Sequence, residues 1–291
     1  MKKFAAVLSL LLFSSPVFAQ APQATSATPV ETSVAATWKL DAKPLGMVHS
    51  LDNKRVFILG DDSKVHVYSA EGTKQGDIPV DKGVTAIDIA PRGEMLYLIN
   101  SQDKSFTSLS VSFTTTIDVT GAPFLGKEKA PVVIALFSDF QCPYCSKVQP
   151  LMDEILKKNP ETVKVVYKNL PLTNIHNMAE PAALAGLAAH NQGKFWQMHD
   201  ALFAMNGQLS MEKILEAAKA IGLDMTKFNA DLNSEATKQR LVKDVMDARQ
   251  AEVNGTPSLF VNGRRVNDRG PDALQKMIDE EVAKTKKGPK N

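Results

Sequence analysis

The sequence predicts a two-part molecule: a small all-β domain of two blade-like repeats, then an α/β domain with a mixed sheet and an inserted set of helices. Three observations carry this. The segment from Ser50 aligns with the segment from Ala90 at an offset of forty residues. After residue 112 apolar runs of strand length alternate with helical patterns. Both cysteines of the chain, Cys142 and Cys145, sit together just after the most continuous of those runs.

The chain opens "MKKFAAVLSLLLFSSPVFAQA". Lys2 and Lys3 form a basic start, the following apolar stretch is too short to span a bilayer, and Val17 and Ala19 supply a small-residue cleavage site. Residues 1–19 are therefore expected to be a secretory signal peptide, with the protein exported or periplasmic. No comparable apolar run occurs later, so no membrane span is expected in the mature chain. Losing Lys2 and Lys3 brings the 34 basic residues level with the 32 acidic ones. A charge near zero gives no reason to expect nucleic acid or an anionic membrane as partner. Residues 20–37, rich in Ala, Thr, Pro and Ser, read as a flexible linker.

Residues 38–111 form the β-repeat domain. Val56, Phe57, Ile58 and Leu59 align with Leu96, Tyr97, Leu98 and Ile99, and Lys64 with Lys104. Each unit reads polar turn, apolar strand, polar turn, alternating strand, with "GMVHS" and "VTAIDIA" as the strands before. A period near forty with four short strands resembles a β-propeller blade, and two similar hairpins in a small sheet are the other reading. Two blades do not close a propeller, so the domain is either a small stand-alone sheet or completes itself against other copies, which makes self-association through residues 38–111 one of the two readings. His49 and His66 lack Cys or acidic partners at ligand spacing and read as solvated strand residues.

From residue 112 onward "TTIDV" reads as a short strand. "PVVIALFS" (131–138) reads as a strand buried on both faces. Apolar residues recur at helical spacing from Cys142 to Lys158, and "VKVVYKNL" is another strand. Helical patterns follow at 178–190, 194–205, 211–221, 226–231 and 235–252, making an insertion over about 174–252. "PSLFVNGRRV" returns to β with Asn262-Gly263 as a tight turn. A last helix runs over 272–284, and residues 288–291 are a tail.

The order of strand, Cys-Pro-Tyr-Cys and helix places Cys142 at a helix N-terminus, where unpaired N–H groups and the macrodipole favour a thiolate. Pro143 suits the first turn, where its missing N–H costs nothing. Cys145, one turn on, is expected to point into the helix–sheet junction. A nucleophile at Cys142 and a less exposed resolving thiol at Cys145 describe a redox dithiol, with Pro143 and Tyr144 tuning it. The competing readings are a zinc site and a structural bridge. Zinc takes about four ligands, no second cysteine pair exists, and no metal is expected. A bridge over so short a loop removes little unfolded-state entropy. No cofactor is expected.

Three stretches, "FSDFQCPYC", "AALAGLAAHNQGKFWQMHDALF" and "NGTPSLFVNGRRV", resemble the DsbA-like thiol–disulfide oxidoreductases. The resemblance spans residues 112–285. It implies a thioredoxin-like fold with an inserted helical domain over 112–287. It also implies that Cys142 attacks, that Cys145 resolves, and that Thr256-Pro257 is a cis-proline loop receiving substrate backbone. His176, His190 and His199 fall in the insertion and read as packing or surface residues. One departure stands out. Many thioredoxin-fold enzymes place a buried carboxylate six positions before the first cysteine, and that position is Leu136. Asp139 is a substitute candidate, though its place at the strand-to-loop boundary suggests an exposed role.

The function implied is thiol–disulfide exchange on exported proteins, with a lean to disulfide isomerase or mixed isomerase/oxidase. The expected partners are unfolded or misoxidised exported substrates and a redox partner that recharges the dithiol. A homo-oligomer through the N-terminal β domain is expected as well. A pure dithiol oxidase, a glutaredoxin-like reductase and a non-enzymatic peptide-binding holdase are the alternatives.

Overall fold

The computed structural model describes residues 31–91 and 93–287. The signal peptide, most of the linker and the 288–291 tail lie outside them. Two compact units divide the chain. The first includes residues 31–91 and 97–107, and the second 93–96 and everything from 108 onward.

In the N-terminal part, β1 (Pro44–His49), β2 (Arg55–Gly60), β3 (Lys64–Ser69) and β4 (Lys74–Pro79) form an antiparallel meander in sequence order. Strands β5 (Val84–Ile89), β6 (Met95–Asn100) and β7 (Ser105–Ser110) form a second sheet in the same up-and-down order. The aligned apolar strands are β2 and β6, and both are inner strands. Phe57, Leu59, Val65 and Val67 bury the first sheet, while β4 leaves most of its residues exposed at an edge.

His66 corrects the reading of a solvated residue. It is buried, its Nδ1 lies 2.6 Å from Asp77 and its Nε2 3.1 Å from Asp62. Asp77 lies opposite on β4, eleven residues away, so no local spacing announced the pair. His49 is exposed, as read.

The second unit has a five-stranded sheet built on β9 (Val132–Ser138). Its order is β12 (Arg264–Arg265), β11 (Ser258–Val261), β9, β10 (Val163–Asn169), β8 (Phe124–Gly126). Only β9 and β10 run parallel. Strand β9 is central, and its continuous apolar run follows: Ile134 and Leu136 enter one core, Ala135 and Phe137 the other. Helices α3 (Ala179–His190), α4 (Phe195–Ala204), α5 (Met211–Ala220), α6 (Met225–Asn233) and α7 (Glu235–Gln250) form the insertion, and α8 (Pro271–Lys287) closes the chain. Ser210, Asp224 and Ser234 cap α5, α6 and α7 through their side-chain oxygens. At the turn from β11 to β12, Asn262 and Gly263 both take positive φ, and a Cβ on Gly263 would meet the Thr115 carbonyl at 2.3 Å.

Two expected elements differ. "TTIDV" is not a strand: the residue before it, Thr114, makes an isolated bridge to Arg264, and the Thr115 N–H donates to the Gly263 carbonyl. Asp118 turns the chain away from the sheet by accepting from the Thr120 N–H and pairing with Lys243 of α7. The pattern from Cys142 to Lys158 is two helices, α1 (Pro143–Ser146) and α2 (Gln149–Lys158). Pro150 has no N–H to continue a helical ladder, so the chain breaks at Lys147–Val148 and restarts with the proline in a first turn. No helix among the described residues is long and apolar enough to cross a membrane.

Candidate active site

The loop leaving β9 carries the dithiol. Cys142 is the N-cap of α1 in extended conformation, with Pro143 in the first helical turn. Cys142 is 5 % exposed and Cys145 is fully buried, and both are free thiols. Tyr144, 65 % exposed, stands over the surface beside them with Lys147 Nζ 5.6 Å from its ring. The Thr256–Pro257 bond is cis, and the Thr256 carbonyl accepts from the Cys142 thiol at 3.6 Å. The chain thus brings together Cys142 and Thr256, 114 residues apart, because β11 pairs with β9 and Ser258 lies opposite Phe137.

Burial pushes the Cys145 thiol up to about 12, with hydrogen bonding from Thr256, Asp139 and Ser138 opposing it and the neighbouring Cys142 adding to it. The Asp139 N–H donates to Cys145 Sγ at 3.4 Å. The reduced pair is therefore asymmetric, with an outer sulfur bonded to the Thr256 carbonyl and an inner one held as the neutral thiol.

Asp139 corrects the expectation of an exposed loop residue: it is buried. Its carboxylate accepts from the Gln141 N–H at 2.7 Å, the Leu172 N–H at 2.9 Å and His176 Nδ1 at 2.7 Å. These donors replace the water an exposed carboxylate would use. His176, read as a packing or surface residue, is a partner of the active-site loop. Gln141 continues the attachment: its side chain accepts from Met178 N–H and donates to Asn177 and to the Gly207 carbonyl. Phe140 drives the same loop into the insertion, stacking on Tyr167 at 5.2 Å and meeting Phe203 at 5.1 Å. Gly186 of α3 permits the approach, since a Cβ there would stand 3.2 Å from Phe195 and 3.3 Å from Phe140. His199 packs inside this aromatic cluster, and His190 is half-buried against Phe195.

A second buried polar group braces β10. Lys168, 2 % exposed, contacts Asp244 and Asp247 of α7 at 2.6 Å each and donates to the Asp118 carbonyl. Asp244 also accepts from both nitrogens of Asn169, whose backbone lies opposite Ser138 in the parallel ladder. Residue separation hid both networks from the sequence. The one signal was Lys168 itself, a charge inside an otherwise apolar strand pattern. Among the described residues no group of three or more His, Cys, Asp and Glu side chains is arranged to hold a metal ion.

A family model described as Thioredoxin matches residues 118–280. Two solved structures are similar. One is a thioredoxin-like oxidoreductase from Silicibacter pomeroyi DSS-3, 28% identical, covering 56% of this chain and 94% of that one at a TM-score of 0.52. The other is the thiol-disulfide exchange protein alpha-DsbA2 from Wolbachia pipientis, 25% identical, covering 55% of this chain and 87% of that one at a TM-score of 0.50. Among curated proteins, a protein named Na(+)/H(+) antiporter NhaA 1 from Salinispora arenicola (strain CNS-205) is 40% identical over 140 residues, 48% of this chain. The chain spans about a fifth of that relative's length, 21%, so the antiporter name does not carry over. The resemblance read from the three sequence stretches holds, and the chain belongs to the thioredoxin family.

Proposed function

We propose that this protein is a thiol–disulfide oxidoreductase of exported proteins, working through Cys142 and Cys145, and that it shuffles disulfides as well as forming them. The observation that carries the proposal is the asymmetric dithiol beside the Thr256 carbonyl at the start of the cis-proline loop. In shuffling, the Cys142 thiolate attacks a substrate disulfide and the displaced substrate sulfur leaves as thiolate. A new substrate pairing then expels Cys142, with no net oxidation. In oxidation, a substrate thiolate attacks Cys142 of the oxidised pair and Cys145 leaves; a second substrate thiolate then expels Cys142. A separate redox partner restores the disulfide. The Thr256 backbone, just before the cis peptide bond and strand β11, is offered to a substrate peptide, and Tyr144, two residues from Cys142, and Ile175 carry exposed apolar surface. The similarity to the S. pomeroyi thioredoxin-like oxidoreductase and the Wolbachia thiol-disulfide exchange protein supports the reaction class. The sequence of residues 1–19 supports an exported or periplasmic location.

The lean to isomerase rests on the N-terminal domain, residues 38–111, read as an assembly module. Its second sheet has three strands among the described residues, and β4 lies at the edge of the first. Leu45, Met47, Ile99 and Phe106 are exposed there. Open sheet edges and exposed apolar residues are what a second copy would cover. The test is refolding of a scrambled-disulfide substrate by the mature protein and by a variant beginning at Ser112. Shuffling by the mature protein that collapses in the shortened one is the expected result. Fast oxidation of a reduced substrate by both, with shuffling by neither, would make the protein a pure oxidase.

A further inference from the structure

In every oxidation cycle of the exchange reaction proposed above, and whenever a mixed disulfide is resolved within the chain, Cys145 must leave or attack as a thiolate. Its surroundings hold no carboxylate at the Leu136 position, and the Asp139 carboxylate is engaged with Gln141, Leu172 and His176. The Asp139 N–H makes a hydrogen bond of ordinary geometry to the sulfur. Yet three hydroxyls are buried around it. On β9 the side chains alternate, so Ser138 shares the face of Leu136 that packs with Cys145 and Tyr167. Ser138 and Tyr167 are almost wholly buried. Neither hydroxyl completes a hydrogen bond of ordinary geometry, and the Thr256 hydroxyl shares that condition. Buried polar atoms are nearly always paired, and three hydroxyls without a protein partner around one sulfur are in place to meet charge that develops there. The Ser138 and Thr256 hydroxyls stand near enough to Cys145 to favour its ionised form, and Tyr167 stands beside Ser138.

We propose that Ser138 is a catalytic residue whose hydroxyl, together with the Asp139 N–H, receives the Cys145 thiolate, and that Tyr167 is a positioning residue that orients the Ser138 hydroxyl. A thiolate attacks Cys142 Sγ of the oxidised pair, a new S–S bond forms there, and the Cys142–Cys145 bond breaks. Its electron pair leaves on Cys145 Sγ, where the two donors meet it, and the thiolate then takes a proton from solvent. In reverse, the Cys145 thiolate attacks Cys142 in the mixed disulfide and expels the partner thiolate. Donors aimed at charge that develops in the transition state speed both directions equally. They leave the end-point equilibrium alone, because the reduced protein holds Cys145 as a neutral thiol.

The test uses the full chain. Reduced protein is mixed with oxidised glutathione, quenched with acid, and the lifetime of the Cys142–glutathione disulfide is read by mass spectrometry. Ser138→Ala is expected to lengthen that lifetime about 10- to 100-fold, the range for losing a hydrogen bond to a charged group. Tyr167→Phe, which keeps the ring, is expected to lengthen it about 2- to 10-fold. Ser138→Thr restores the donor and the rate. Alkylation of Cys142 and the reduction potential stay at their wild-type values in all three. Resolution at the wild-type rate in Ser138→Ala overturns the proposal, as does equal slowing in Ser138→Ala and Ser138→Thr, which would mark a packing role. If Ser138→Ala does not fold, Tyr167→Phe decides: slower resolution supports the proposal and an unchanged rate overturns it. A wild-type chain that forms no mixed disulfide overturns the exchange reading itself, and this proposal with it.

Discussion

Replacing Cys142 by serine is expected to remove disulfide shuffling and oxidation alike, a fall of at least about a thousandfold, or about 4 kcal/mol of barrier. Serine keeps the size of the side chain and its donor to the Thr256 carbonyl, so the fold and the cis-proline loop stay in place. What disappears is the sulfur that carries every covalent intermediate, because a serine hydroxyl at neutral pH neither ionises as a thiol does nor forms a disulfide. The measurement is turnover of a scrambled-disulfide substrate and oxidation of a reduced one, each with circular dichroism to show the variant folded. Activity within about tenfold of wild type would mean that the dithiol is not the reagent. A holdase would show an unchanged protective effect in the same variant.

Replacing Lys168 by methionine is expected to have the largest effect on stability. The ammonium is buried between Asp244 and Asp247, and its loss leaves Asp244 with only the Asn169 donors and Asp247 with only the more exposed Lys243, 3.1 Å away. Removing one partner of a buried ion pair costs about 3–5 kcal/mol, a large share of the roughly 5–15 kcal/mol that holds a domain folded. The matched control is Lys127→Met at the exposed Lys127–Glu161 pair, where about 0–1 kcal/mol is expected. Denaturant midpoints of the two variants settle the comparison. Equal shifts would show that the β10–α7 network contributes no more than a surface contact.

How much of this was legible beforehand depends on the range of the interaction. The apolar run 131–138 announced β9 because burial on both faces leaves no alternation to confuse. The Ala-rich pattern at 178–190 announced α3, and Asn262-Gly263 announced the turn between β11 and β12. Local chemistry also marked Cys142, Pro143 and Cys145, and the family resemblance extended the reading to Thr256-Pro257. Contacts fixed only by the tertiary fold were hidden. Asp139 looked exposed because its three donors include Leu172 and His176, more than thirty residues downstream. His66 looked solvated because Asp77 comes from the neighbouring strand. "TTIDV" had the composition of a strand, but a side chain, Asp118, bonded its own backbone neighbour and a helix instead. Pro150 was visible, yet the periodic apolar positions on either side of it masked the break between α1 and α2.

The most direct measurement is a covalent trap. With Cys145 replaced by serine, a mixed disulfide formed at Cys142 cannot be expelled by the resolving thiol and should persist. The variant is incubated with a scrambled-disulfide protein, quenched, digested and mapped by mass spectrometry. Substrate peptides joined to Cys142 alone are the predicted result. No adduct, in a folded variant whose Cys142 still reacts with a small alkylating agent, would contradict the claim that this dithiol exchanges disulfides with proteins.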